Sequence, residues 1–499
     1  ICTYFNSINW DTVLNNSDVN EALHAFYNHV YVACEKFVPI KCKIPSTYPN
    51  WFNNNIINLI KSKKCAHKQF KLTSCVADYQ KFCELRRLCR ISIRQEYNNY
   101  VSTVENNLVS NPKYFWKFIR AIRKSSNNNL VNLPLSFGDQ FFSDEVAACE
   151  AFNAYFSSVY CNNSKPDFDV SYDCDVRFSN ISINLSDVVE ALSKLDSSKG
   201  PGPDNIPPKF FRECGPSIAT PLHILFSLSL KSGEFPMLWK KAHVVPVHKS
   251  GSKHHVENYR PVSILSTPSK LFESIVYNKC FTVYKNIITP YQHGFINKRS
   301  TVTNLLCFTN ELIDAMSVGF EVHAIYADLS KAFDKINHSI LVKKLNAYGI
   351  CGSLLRWFKS YLCDRCQQVK LGLSLSSFRH VPSGVPQGSI LGPFLFSLFI
   401  NDIGNNFVCA FSLFADDLKI YRVIKGLNDT MFLQSDIVSL LRWCDENLMI
   451  INSEKCHIVK FSKKISSSSP VYFMHNNKLK VSSTIKNLGV SLDCKLTFA

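Results

Sequence analysis

Phe411-Ser-Leu-Phe-Ala-Asp416-Asp417-Leu-Lys-Ile420 places two adjacent carboxylates inside an otherwise apolar, strand-like run. Apolar residues on both sides of Ala-Asp-Asp predict a tight β-hairpin with acid at its tip. A buried carboxylate is costly unless a cation or a hydrogen-bond network compensates it. Taken alone, the pair fits a solvated turn as well as a metal site. A second acidic strand end lies upstream, in Val322-His-Ala-Ile-Tyr-Ala-Asp328-Leu-Ser-Lys-Ala-Phe333-Asp334. Here an apolar strand ends on Asp328. A helix is then expected through Phe333, Ile336, Ile340, Leu341, Leu345 and Tyr348, closed by Gly349.

Two such strand ends side by side could hold a pair of Mg²⁺ ions about 3.5–4 Å apart, suited to in-line phosphoryl transfer. Hard oxygen ligands with spare water positions favour Mg²⁺ over zinc, with Mn²⁺ a possible substitute. Between the strands, Ser383-Gly-Val-Pro386-Gln387-Gly388-Ser389-Ile-Leu-Gly-Pro393 predicts a rigid turn leading into an apolar helix. Gly388 would let the backbone approach another molecule, and Gln387 offers a donor and an acceptor beside it. An ordinary Pro-Gly loop is the competing reading for that block by itself. In this order the three elements form a polymerase palm signature.

These blocks resemble motifs A, B and C of reverse transcriptases, and among those the LINE-type, jockey-like enzymes of non-LTR retrotransposons. Lys199-Gly-Pro-Gly-Pro-Asp204, Pro246-Val-His-Lys249-Ser-Gly251, Asn258-Tyr-Arg260-Pro-Val-Ser263, Gln292-His-Gly-Phe295, Arg299-Ser-Thr301, Asn452-Ser-Glu-Lys455 and Leu488-Gly-Val490 agree with it. The resemblance covers about residues 185–499. It implies an RNA-directed DNA polymerase that extends a DNA 3′-end along template RNA, using dNTPs. It assigns Asp328 and Asp416 as metal-binding carboxylates and Asp417 as an auxiliary acid. Phe333 falls where the family has an aromatic gate against a 2′-hydroxyl, and it also reads as a helix core residue. Lys249 and Arg260 bracket a polar loop between two β-rich runs, a fingers hairpin whose cations suit a triphosphate. Lys455 falls where the family has a candidate proton donor for pyrophosphate. Maturase- or telomerase-like enzymes share the palm, RNA-dependent RNA polymerases would need a less restrictive residue than Phe333, and an inactive RNA-binding relic is the non-enzymatic alternative.

The chain has 499 residues and a net charge of +17, which favours polyanionic partners. Between Asn58 and Lys124 there are 15 Lys/Arg against 4 Asp/Glu, interleaved with aromatic residues. A helix over Tyr79–Val104 fits this composition. The region reads either as a solvated charged face or, ahead of a palm, as a grip on template RNA. The 20 cysteines are scattered. Cys363-Asp-Arg-Cys366 is the one Cys-x-x-Cys and has no partner at zinc spacing, so free thiols in a reducing compartment are expected. The apolar stretches Leu222–Leu230 and Phe394–Ile400 are too short for a membrane helix.

The expected fold is α+β. A mostly α-helical basic region (1–125) and a linker (126–180, including a helix over Ser143–Val159) precede a right-hand polymerase. Its fingers are expected at 181–320, with a helix over Ile218–Leu230. A palm at 321–465 would have an antiparallel sheet backed by helices, and a primer-grip region would follow at 466–499. The runs Asn127–Asn129 and Ser466–Ser469 read as short linkers. A first residue that is not Met and a last family block without a thumb suggest a fragment of a polyprotein, with an endonuclease domain elsewhere in it. A location in cytoplasm and nucleus follows from an enzyme that copies RNA onto DNA ends.

Overall fold

The computed structural model describes residues 1–15, 18–39, 48–49, 51–108, 115–116, 118–119, 131, 133–161, 176–463 and 470–497. The end of the expected basic region around Tyr114 and Lys124, and the runs Asn127–Asn129 and Ser466–Ser469, lie outside the described residues. The chain divides into two compact units, Ile1–Phe37 with Leu130–Ala499, and Val38–Asn129. This corrects the expectation of one region over 1–125. The helix Val19–Phe37 buries Leu23, Phe26 and Val30 in the main core, together with Phe211, Phe226 and Trp239. Tyr27 Oη donates to Asp204 (3.0 Å) and accepts from Trp239 Nε1 (3.1 Å).

In the larger unit, a short hairpin of β1 (Leu135–Phe137) and β2 (Gln140–Phe142) precedes two five-stranded sheets. One sheet joins β3 (Lys241–His248), β4 (Tyr259–Ile264), β6 (Arg365–Leu371) and β7 (Ser374–Leu375), with β8 (Arg379–Val381) on β6. Its β3–β4 pair is the expected fingers hairpin, with Val247 opposite Arg260. Its third strand was not expected here. β6 comes from within the stretch read as palm and pairs parallel to β3. The stretch read as a linker also belongs to this sheet. The helix Glu145–Ser158, capped by Asp144, packs Ala148, Cys149, Phe152 and Phe156 against Val244, Tyr259 and Val369. One apolar face of a sheet must be covered, and this helix covers it.

The second sheet has the order β14-β11-β5-β10-β9, with β5 (Glu321–Asp328) at its centre, β9 (Ala410–Phe414), β10 (Asp417–Ile424), β11 (His457–Phe461) and β14 (Lys480–Val481). Except for the parallel β11–β14 edge, its strands are antiparallel, as expected of the palm. The helix Thr301–Ser317, placed with the fingers by sequence, backs this sheet. Its Phe308, Leu312 and Met316 pack on Val322, Ala324, Tyr421 and Val459. The remaining short strands, β12 (Phe473–Met474), β13 (Asn477–Lys478), β15 (Thr484–Asn487) and β16 (Val490–Asp493), form two hairpins near the C-terminus.

The helix expected after Asp328 is two helices, Ala332–Lys335 and His338–Ala347. Asn337 explains the break, because its side chain accepts from Ile340 N (3.1 Å) and starts a new helix. The apolar spacing survives across the break, which is why the sequence reads as continuous. Gly349 follows with φ +89°, the left-handed conformation expected after a helix end. The helix expected over Ile218–Leu230 is the second part of Pro208–Ser232, which kinks at Gly215 ahead of Pro216.

The smaller unit contains an antiparallel helical hairpin, Asn54–Thr73 and Val76–Asn106, joined through left-handed Ser74. Ile56, Ile60 and Cys89 form its buried centre, with Leu59 and Ile93 against them. Trp51 meets Tyr97, His67 stacks on Phe82, and Phe70 meets Tyr79. No described helix is long and apolar enough to cross a membrane. Cys363 and Cys366 are free thiols.

Candidate active site

The acidic run folds as its pattern requires. Phe414 pairs with Asp417, so Ala415 and Asp416 form a two-residue turn, with Ala415 left-handed at φ +56°. On its other edge β10 pairs with β5 so that Asp417 stands directly opposite Asp328. Three carboxylates therefore crowd one end of the sheet, an arrangement that repels itself. Burial, then the charges of Asp417 and Asp328, push the Asp416 carboxyl up to about 6. Asp417 is also raised, by burial and by Asp328. Lys455 Nζ lies 3.7 Å from Asp328 Oδ2, a partly exposed and therefore weak compensation.

Neighbouring segments lock this strained corner in place. Gln292, fully buried, accepts from Ala415 N (2.9 Å) and Gly294 N (2.7 Å), and its Nε2 faces Ala415 O at 3.4 Å. Gly294 is obligatory there, because a Cβ would lie 2.4 Å from Ala415 N. Buried Lys419 donates to Asn304 Oδ1 (2.6 Å), and Asn304 Nδ2 donates to Leu413 O (3.1 Å), tying the hairpin to the helix behind it. Burial lowers the Lys419 ammonium to about 7. Asp328 is fixed through its backbone, whose carbonyl accepts from Asn452 N at 2.9 Å.

A cleft of about 590 Å³ opens in front of the acids. Asp328, Asp416, Phe333, Gln387, Gly388 and Lys455 line it, with Lys249 and Arg260 of the fingers hairpin. Asp417 does not line it. Lys249 N donates to Asn258 O (2.8 Å), which closes the hairpin. Burial, then the charges of Arg260 and Lys455, lower the Lys249 pKa. The Phe333 ring stacks on Phe396 at 4.2 Å and meets Phe295 edge-on at 5.9 Å, so one ring is both packed and part of the wall.

Gly388 needs a different explanation from the one its sequence suggests. Its φ is +112°, and a Cβ would lie 2.6 Å from Ser263 O. The close approach is thus to the chain's own β4, sealed by Ser263 N donating to Gln387 O at 2.7 Å. The Gln387 side chain is engaged too, donating from Nε2 to Asp334 Oδ1 (2.7 Å). Asp334 is a wall residue to which its sequence pattern gives no role. Burial pushes its carboxyl up to about 6. Tyr155 and Lys331 were also missed. Lys331 Nζ donates to Tyr155 Oη (2.8 Å), and both line the cleft. Nothing in the local sequence of Tyr155 signals this, because its helix reaches the cleft only through the sheet it covers.

Hard carboxylate oxygens whose mutual repulsion has not been neutralised fit a divalent cation. Among the described residues no group of three His, Cys, Asp or Glu is placed to hold an ion by itself. Asp328 and Asp416 could supply only part of a coordination shell, which suits an ion that keeps water and substrate oxygens.

Acids at the end of one sheet, facing cations on the hairpin of another, are the arrangement of a polymerase palm and fingers. Residues 247–492 match the family model described as reverse transcriptase (RNA-dependent DNA polymerase), so this stretch is a domain of that family. The chain is 30% identical over 63% of its length to a probable RNA-directed DNA polymerase from transposon BS of Drosophila melanogaster. It is 24% identical over 98% of its length to the RNA-directed DNA polymerase from mobile element jockey of the same species. The jockey protein of Drosophila funebris is 28% identical over 63% of the chain. These matches cover 36%, 55% and 36% of the relatives, so the chain spans about half of their length or less. The jockey-like, non-LTR resemblance read from the motifs agrees with these relatives. A solved apo telomerase from Candida tropicalis aligns over 52% of this chain and 54% of its own, with 13% identity and a TM-score of 0.37, too loose a likeness to carry weight.

Proposed function

We propose that this chain copies template RNA into DNA from a DNA 3′-end, as the polymerase of a non-LTR retrotransposon. The cleft that gathers Asp328, Asp416, Lys249, Arg260 and Phe333 from four separate segments supports this reading most strongly. Asp328 and Asp416 would hold Mg²⁺, which when bound supplies activation of a 3′-hydroxyl and stabilisation of the departing oxygen. Lys249 and Arg260 would receive the triphosphate of an incoming dNTP, Lys as a point charge and Arg as a fork. The Phe333 ring, held between Phe295 and Phe396, would lie against the sugar and exclude a 2′-hydroxyl by contact. Gln387, oriented by Asp334, would present its remaining amide capacity to the nucleotide. Lys455 would donate a proton from Nζ to pyrophosphate. Asp417, outside the cleft wall, would act through its charge on Asp328 and Asp416. An endonuclease in the same polyprotein, and work divided between cytoplasm and nucleus, belong to the same proposal.

Primer extension on an RNA template with dNTPs and Mg²⁺ tests it, comparing the unmodified chain with Asp328→Ala and Asp416→Ala. Each substitution is expected to abolish extension, roughly a thousandfold or more if several kcal/mol of charge stabilisation are lost. Extension that survives in either variant would remove that residue from the site. No extension by the unmodified chain, even joined to the further segments its relatives carry, would favour an RNA-binding relic.

A further inference from the structure

Seven of the cations on the helical hairpin of the smaller unit share one side, and the packing register shows why. Ile60, His67 and Phe70 on the first helix, and Leu85, Cys89 and Ile93 on the second, lie in or beside the seam between the helices. Lys61, Lys68 and Lys71 each follow a first-helix seam residue by one position, and Lys64 continues their row. Arg86, Arg90 and Arg94 each follow a second-helix seam residue by one. One residue turns a helix by about 100°, so in two antiparallel helices the residues just after the seam fall on the same side. Both rows therefore share one face of the hairpin. All seven side chains are exposed, and none is ion-paired among the described residues.

Like charges at i,i+3 and i,i+4 repel along each row, and among the described residues no acid pairs with either row to offset the cost. A solvated face would more economically mix signs. The row on the second helix also begins and ends in an aromatic ring. Tyr79 and Tyr97 lie in line with the arginines, 48% and 40% exposed, roughly 27 Å apart along the helix. Cations in a row between exposed rings match a polynucleotide strand whose bases are free to stack.

We propose that this face binds single-stranded RNA through its phosphate backbone, with Tyr79 and Tyr97 as stacking platforms. The choice of RNA rests on the polymerase reading above, whereas the polyanion chemistry rests on the hairpin alone.

The test measures binding of the full chain to labelled single-stranded RNA and to duplex DNA across a salt series, without dNTPs. Arg86→Gln/Arg90→Gln/Arg94→Gln is compared with a charge-matched control, Lys194→Gln/Lys285→Gln/Lys425→Gln, and with Lys81→Gln on the opposite side of the hairpin. If all three arginines meet phosphates, the slope of log affinity against log salt should fall by about 2 for single-stranded RNA, at about 0.7 per contact. The controls should retain the slope. Tyr79→Ala/Tyr97→Ala should weaken RNA binding at every salt concentration without changing the slope. An unchanged slope in the arginine variant, or an equal fall in the charge-matched control, would overturn the face. A larger loss for duplex DNA than for RNA would overturn the single-strand assignment. Failure of the polymerase reading would appear separately, as normal RNA binding by a chain that extends no primer.

Discussion

The two sheets that wall the cleft differ in how they hold charge. On the palm sheet Asp328 and Asp416 are half-buried and crowded by Asp417, and backbone and side-chain partners brace them: buried Gln292 on the turn, Asn452 N on the Asp328 carbonyl, and buried Lys419 through Asn304. On the fingers sheet, the side chains of Lys249 and Arg260 are exposed beside a polar loop, and neither is ion-paired among the described residues. Repelling carboxylates must be fixed at their mutual distance if they are to share a cation. Cations that meet a flexible triphosphate can adapt to it. The palm should therefore be sensitive to its supports, and the fingers to their own side chains.

The largest expected effect breaks the fingers side. Lys249→Met with Arg260→Met should raise KM for dNTPs by roughly 10² to 10⁴, since a hydrogen bond to a charged group contributes about 1.5–3 kcal/mol. Steady-state extension kinetics would show it, and a fall confined to kcat would mean that the two cations do not receive the triphosphate.

Next comes Asp334, which links the sheets through Gln387. Its carboxyl titrates near 6 in the folded chain, above its ordinary value. The folded state therefore holds a proton that the unfolded state has released between about pH 4 and 6. Stability attributable to this group falls as pH rises through that window, and the full cost persists above it. Asp334→Asn should remove this dependence and stabilise the chain at pH 8 by at most about 3 kcal/mol, with no gain at pH 4. Thermal melts at the two pH values check the sign.

The smallest effect sharpens the palm side. Gln292→Ala leaves Ala415 N without its acceptor and should lower kcat about tenfold with KM for dNTPs unchanged, if roughly 1.4 kcal/mol of positioning is lost. A change in KM instead would show that the turn is not what Gln292 holds.

Much of the site was readable one element at a time. The alternation around Asp416 and Asp417 specified a hairpin, and the apolar run before Asp328 specified a strand. Gly388 shows where such reading fails. A glycine signals a close approach but not what approaches, and here it is Ser263 of the same chain. Asn337 shows a second failure, because apolar spacing on either side of a cap looks like one helix.

The sequence by itself determined the acids, the cations and the local turns that present them, because hydrophobic period and turn chemistry act over a few residues. Only the tertiary structure decided the partners. It brought β6 to β3, laid the helix Glu145–Ser158 over the fingers sheet and so brought Tyr155 to the cleft, and packed residues 1–37 into the main core. It also set the helix register that turns scattered lysines and arginines into one face. These are contacts between segments far apart in the chain, fixed by complementary apolar surfaces that carry no local signature.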